Sequence, residues 1–283
     1  MMFYKLLCYD LKNGFLSTYK RYLSAAAAFV IMFVSFQLVA YSYNTMGKPD
    51  VPIAGSVGDV LLYAFGGMYE YVPSKGAPFT IPAFWLLTYL LLAYITLYYP
   101  FEDLEEFGQN ILIRSKGRMM WWFSKCAWNL ISVVCYFLLA WAVMTIGCLV
   151  TGGPLSMELS PDIPLLCNVQ IEYQMPQTMI PQMLVLPLLV MIGLNLLQMT
   201  LSLIFKPFYS FIVTATILLI STYYLSPACI GNYAMPLRSH LLLSNGVGLN
   251  TGMLISVIII VVSIAVGGFV FRRRDILKGE GEA

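Results

Sequence analysis

Six apolar stretches, at 22–43, 83–99, 126–150, 179–205, 208–225 and 251–271, contain no Asp, Glu, Lys, Arg or His. A helix needs about 20 such residues to cross a hydrocarbon core roughly 30 Å thick. With no water in that core, each spanning segment must satisfy its own backbone N–H and C=O groups, and stretches of this length do so as helices. The chain is 59% hydrophobic and 11% charged, against about 25% charged residues in ordinary soluble domains. The expected fold is all-α: a polytopic membrane protein with six transmembrane helices.

Basic residues set the orientation. With the N-terminus inside, the inner segments hold Lys5, Lys12, Lys20, Arg21, Arg114, Lys116, Arg118, Lys125, Lys206, Arg272, Arg273, Arg274 and Lys278, and the outer ones hold Lys48, Lys75 and Arg238. This excess puts both termini and the 102–125 segment in the cytoplasm. Because these residues flank helices, where they anchor to headgroups, the basic balance is no sign of nucleic-acid binding.

Ahead of the first span, Phe3, Leu7, Leu11, Phe15 and Tyr19 recur every four residues, with Lys5, Lys12, Asn13 and Lys20 elsewhere on the wheel. This predicts an N-terminal interfacial helix over 1–21. No cleavable signal is expected, since the first apolar run is long enough to stay as an anchor. Tyr71, Tyr98, Tyr99, Trp121, Trp122, Tyr223 and Tyr224 fall at predicted boundaries, as a lipid-facing aromatic belt does. The proline-rich outer loop 44–82 has room for one short helix over 57–64, and 151–178 is similarly broken. The outer segment 226–250 carries Leu237 and Leu241 to Leu243, so it either folds back toward the membrane or stays a plain loop. Pro181 and Pro187 predict a ragged or kinked start to the fourth span. Asn195 and Gln198, three apart on one face, are expected to bond across helices.

Missing chemistry narrows the function. No GxxxxGK[ST] loop is present, so the chain has no phosphate loop of its own. One histidine, His240, cannot build an H-E-x-x-H zinc site. Glu105-Glu106 lies outside the spans, unlike the paired acids of intramembrane proteases, and there is no GxSxG. The six cysteines show no CxxC; Cys167 and Cys229 share the outer side and either pair or remain thiols. No metal and no enzymatic activity are expected. Proton-driven transporters need ionisable groups at membrane depth, and the spans have none, so transport would draw its energy through the cytoplasmic segments.

Attention therefore falls on 102–125. It holds eight charges, Glu102, Asp103, Glu105, Glu106, Arg114, Lys116, Arg118 and Lys125, with Leu104, Phe107, Ile111 and Leu112 at helical spacing and acids opposite. A short surface helix results, facing lipid, a partner or water.

The run Gly108-Gln109-Asn110-Ile111-Leu112-Ile113-Arg114-Ser115-Lys116-Gly117-Arg118, followed by Trp121-Trp122 and Ser124-Lys125, resembles the coupling-helix region of bacterial type-2 ABC exporter permeases. These are transmembrane subunits that move peptides such as bacteriocins and lantibiotics. Phe271-Arg272-Arg273-Arg274-Asp275-Ile276-Leu277 is similar to their C-terminal ending, and Gly231-Asn232-Tyr233 with Met235 and Arg238 to their last outer segment. The resemblance implies a bacterial plasma-membrane protein working with a second permease copy, or a homologous one, and two ATP-binding cassette ATPase subunits that bind ATP and Mg. The chain itself would bind no cofactor. Coupling would use Leu104, Phe107, Ile111 and Leu112 as apolar contacts, Glu105, Glu106 and Arg114 as rim charges, and Gly108 for close approach. A pathway along spans two and five would be lined by Thr88, Thr96, Ser210, Thr214, Thr216 and Ser221. The expected function is export of a hydrophobic or amphipathic peptide or small toxin by alternating access. Export of a polysaccharide or lipid-linked glycan, or a membrane scaffold or sensor role, are the alternatives.

Overall fold

A computed structural model describes residues 2–47, 52–73, 78–104, 117–167 and 173–273. Among the described residues, the α-helices of five or more residues are α1 (Met2–Ser42), α2 (Val57–Phe65), α3 (Ala83–Leu97), α4 (Tyr99–Asp103), α5 (Arg118–Thr151), α6 (Leu186–Ser202), α7 (Pro207–Tyr223) and α8 (Leu249–Arg273). Among the described residues there is no strand, only an isolated bridge between Ser239 and Val247. Five helical segments among the described residues are long and apolar enough to cross a membrane: Phe3–Gly47, Ala83–Asp103, Arg118–Thr151, Pro181–Ser202 and Leu249–Arg273. The sixth, α7, has 17 residues, about 26 Å of helix against a core of roughly 30 Å.

The expected break near residue 21 does not exist. α1 is one continuous helix of 41 residues, about 62 Å long, so 1–21 do not form a separate element lying in the interface. The helix runs through because its lower half has a packing partner. Contacts progress in parallel along α1 and α5, from Asp10–Lys125 through Tyr22–Ser132 to Gln37–Thr151. The row facing inward is Leu6, Asp10, Gly14 and Thr18, whereas Phe3 and Tyr19 of the expected apolar row are exposed. Gly14 is required here, because a Cβ would sit 2.2 Å from Trp128 Nε1.

α5 likewise begins at Arg118 and absorbs 118–125 into its first turns. Trp121 and Trp122 are 3% and 1% exposed, with Trp121 stacked on Phe271 at 4.7 Å. They are core residues at the α5–α8 contact and do not face lipid, correcting the aromatic-belt reading. Gly267 makes that contact possible, since a Cβ would meet the Trp122 ring at 2.1 Å.

Polar side chains tie the helix centres together. Thr96 Oγ1 lies 3.3 Å from Asn195 Oδ1, and Gln198 Nε2 donates to the Ala93 carbonyl at 2.8 Å. Thr200 donates to the Ser263 carbonyl, joining α6 to α8. The outward faces remain apolar, with Val30, Ile31 and Val34 on α1, Ile212 and Ile220 on α7, and Val257, Val261 and Val262 on α8. Such a surface matches hydrocarbon and would be unusual in water.

At the opposite end from Asp10, α2 occupies the predicted 57–64 position. Ser56 caps it through a reciprocal capping box with Asp59. The ragged start of the fourth span is a π turn, Pro181–Val185. Residues 230–239, two 3-10 turns and their link, are all buried in the bundle. The Ala234 carbonyl accepts from both Trp85 Nε1 (2.8 Å) and Tyr89 OH (3.1 Å). Non-helical backbone is tolerated there because protein surrounds it.

Candidate functional site

At the end holding the start of α1, the start of α5 and the last turn of α8, three charges are buried together. Pro100 lacks the N–H that would extend α3, so the chain turns after Leu97 into α4. Tyr99 and Asp103, four apart, then share one α4 face, as Trp121, Lys125 and Trp128 share a face of α5. The Lys125 ammonium, 0% exposed, lies 2.5 Å from Asp10 Oδ1 and 2.7 Å from Asp103 Oδ2. It also sits over the Tyr99 and Trp121 rings, 4.5 and 5.1 Å from their centroids.

Further donors surround both carboxylates. Asp10 accepts from Tyr99 OH at 3.1 Å and Ser124 Oγ at 2.5 Å, and Asp103 accepts from Trp121 Nε1 at 3.2 Å. Two carboxylates and one ammonium carry a net charge of −1 in the protein interior, and these neutral donors offset the excess. The Nζ is enclosed, and the cluster ties α1, α4 and α5 together. Among the described residues no His, Cys, Asp and Glu group is placed to hold a metal.

The cluster brackets the expected coupling segment. Of its candidate residues, Leu104 follows α4 directly but is 6% exposed and belongs to the core. Glu105, Glu106, Phe107, Gly108, Ile111, Leu112 and Arg114 lie outside the described residues.

The expected pathway residues differ in exposure. Thr88, Thr96, Ser210, Thr214 and Ser221 are buried and Thr216 is exposed. Each hydroxyl has an acceptor within its own helix: Thr88 in Phe84, Thr96 in Leu92, Ser210 in Pro207, Thr214 in Ser210, Thr216 in Ile212 and Ser221 in Ile217, and Thr96 shares its proton with Asn195 across helices. Back-bonding of this kind satisfies Ser and Thr without any ligand. Ser221 also accepts from Gly231 N and borders an apolar cleft of about 320 Å³ between α6, α7 and α8.

The opposite end buries a different cation. Arg238 is fully enclosed, with Nε donating to the Met68 carbonyl (3.1 Å) and Nη2 to those of Tyr69 (3.2 Å) and Thr222 (2.6 Å). Nη1 reaches the Ser221 and Tyr224 carbonyls and Asn232 Oδ1. Ser221, Thr222 and Tyr224 lie at the C-terminus of α7, where unpaired carbonyls and the helix dipole favour a cation. Burial pulls the guanidinium down to about 10, with the Glu70 carboxylate acting in the opposite direction; it remains charged at neutral pH. Cys167 and Cys229 are both free thiols.

Neither Asp10 nor the full burial of Lys125 and Arg238 was foreseen from the sequence. One signal existed: Leu6, Asp10, Gly14 and Thr18 recur every four residues, and small residues in such a row permit close helix approach.

No curated protein and no solved structure matches the chain. A family model matches residues 28–277, a stretch that begins after Asp10 and contains Asp103, Lys125 and Arg238. By that match the chain belongs to DUF2705, a family described as a protein of unknown function.

Proposed function

We propose that this chain is the membrane permease subunit of an ATP-binding cassette exporter, carrying a hydrophobic or amphipathic peptide or small toxin outward. Five helices apolar enough to span a membrane support the membrane part of this reading. The observation that carries the rest is the buried joint. Leu104 and Gly117, the described residues flanking the amphipathic 105–116 segment, continue directly from α4 and into α5, and Asp10, Lys125 and Asp103 clamp those two helices to α1. Helices braced where they lead into and out of 105–116 are what transmission of force from an external motor requires.

In this mechanism two permease copies, or this chain with a homologue, associate with two ATPase subunits, with all termini cytoplasmic. Phe107, Ile111 and Leu112 contact the ATPase, and Glu105, Glu106 and Arg114 rim the contact. ATP, with Mg, binds at the ATPase dimer, whose closure moves the segment and changes which side of the membrane the path between permeases faces. The apolar substrate class suits a chain with six long stretches that carry no charge.

Co-expression with an ATP-binding cassette protein encoded beside the chain tests the reading. A complex with stimulated ATPase activity is expected, and Phe107→Asp and Leu112→Asp abolish both. A complex and stimulation that survive both substitutions would show that this segment does not dock the ATPase.

A further inference from the structure

We propose that the cleft between the start of α5 and the end of α8 binds the phosphate headgroup of an anionic glycerophospholipid, whose acyl chains lie along the apolar face of α8 beside it. The inference does not depend on the ATPase reading and needs only that the bundle sits in a membrane.

Two glycines create the cleft. Gly267 and Gly268 have no Cβ, so the Trp122 ring and the Met119 side chain of α5 seat directly against α8; a Cβ on Gly268 would lie 3.0 Å from Met119 Cε. That approach sets Arg118 beside Arg272, and Arg118 Nη1 donates to the Arg272 carbonyl at 3.3 Å. The resulting cleft, of about 530 Å³, is lined by Gly117, Arg118, Met119, Met120 and Arg272. Its volume is within the range of clefts that hold small molecules.

Charge decides the sign of the ligand. Arg118 and Arg272 form two of the walls, and Arg273 follows, its guanidinium 4.1 Å from the centroid of the Phe269 ring. Arg272 and Arg273 are exposed and form no ion pair among the described residues, whereas Asp10 and Asp103, the buried carboxylates of this end, are both taken by Lys125. The start of α5 adds the positive end of a 34-residue helix. Guanidinium groups held this close repel one another, and a phosphate between them relieves the repulsion while matching their fork of donors. Basic pockets between spanning helices take anionic headgroups for this reason.

Depth and surface decide that the anion belongs to a lipid. The uncharged part of α8, from Leu249 to Phe271, covers about 34 Å of helix against a hydrocarbon core of roughly 30 Å. Arg272 therefore stands where headgroup phosphates begin. Val262, Val266 and Phe269, four and three residues apart on one face of α8, are exposed and lead from Arg273 toward the middle of the bundle, and Met120 and Phe123 are exposed on α5. A free anion would use the guanidinium groups alone; the apolar strip beside them suits an acyl chain.

The test uses the full chain purified in detergent and native mass spectrometry, with phosphatidylglycerol, phosphatidylcholine and inorganic phosphate as probes. Wild type is expected to bind phosphatidylglycerol in preference to phosphatidylcholine. Each basic side chain near a headgroup is worth about fivefold in affinity, so Arg118→Gln/Arg272→Gln should weaken phosphatidylglycerol at least about tenfold. Lys12→Gln/Lys20→Gln, which removes the same charge from exposed positions on α1, should leave it unchanged. If the arginine double variant unfolds, the exposed Arg272→Gln alone carries the test, with about a fivefold loss expected. Equal binding of the two lipids, or equal losses in the arginine and lysine variants, overturns the inference, because attraction is then general to the surface. Inorganic phosphate that displaces phosphatidylglycerol at millimolar concentration overturns the lipid assignment.

Discussion

The two ends of the helical bundle each bury a cation, and they do so by opposite means. Arg238 is held by backbone carbonyls and one amide oxygen, groups whose positions are set by the end of α7 and by two segments between helices. Lys125 is held by two carboxylates on separate helices. A guanidinium presents five donors in a fixed fork, suited to a cage of fixed acceptors, whereas an ammonium rotates freely among partners. The lesson is that burial alone does not define a role: the Arg238 end is a cage of backbone acceptors, and the Lys125 end is a junction of side chains from three helices.

The strongest way to break this comparison is at the cage. Arg238→Met leaves several buried carbonyls unpaired, and a loss of more than about 5 kcal/mol is expected, enough to prevent accumulation of folded protein. Size-exclusion profiles in detergent read the effect. Arg238→Lys should not rescue, because three donors on one nitrogen cannot reach six acceptors.

At the junction, Lys125→Met leaves Asp10 and Asp103 facing each other and costs about 3–5 kcal/mol, visible in thermal unfolding. Adding Asp10→Asn and Asp103→Asn should recover most of that loss. If the neutral triple variant remained as unstable as Lys125→Met, the junction would be as rigid a cage as the Arg238 end. Gly14→Ala sharpens the contrast, since its Cβ would overlap Trp128 at a cost of about 1–3 kcal/mol, and adding Trp128→Phe should recover part of the loss.

Smaller still is Asn195→Leu in the bundle centre, where one interhelical bond is worth roughly 0.6 kcal/mol. Finally, burial, helped by the Asp59 charge, pushes the Cys167 thiol up to about 12, so little thiolate exists at neutral pH. Its alkylation should lag behind that of exposed Cys8 and accelerate as pH rises, as mass spectrometry of labelled peptides can follow.

Much of the helical layout could be read before the structure. The apolar stretches correspond to helices, the 57–64 helix occurs as Val57–Phe65, and Pro181 marks a π-turn start. The failures share one cause. Hydropathy reports which face of a helix avoids water, and it is silent about which neighbour that face meets. The apolar row Phe3 to Tyr19 predicts a helix lying in the interface, and it says nothing of the face that packs. The row that packs contains Asp10, Gly14 and Thr18, chosen for closeness and hydrogen bonding. Trp121 and Trp122 had the composition of an interfacial belt, yet Gly267 on a distant helix opens a slot that takes them into the core.

By itself the sequence determined that this chain is helical and apolar, and that its charges are confined to segments between long uncharged runs. Those properties follow from local composition, because a backbone buried in hydrocarbon has to satisfy itself segment by segment. Only the tertiary structure decided that residues 10, 103 and 125 meet and that Arg238 is caged by the end of α7. Both depend on contacts between residues remote in the chain, where ions become stable only through partners that the fold brings within hydrogen-bond distance.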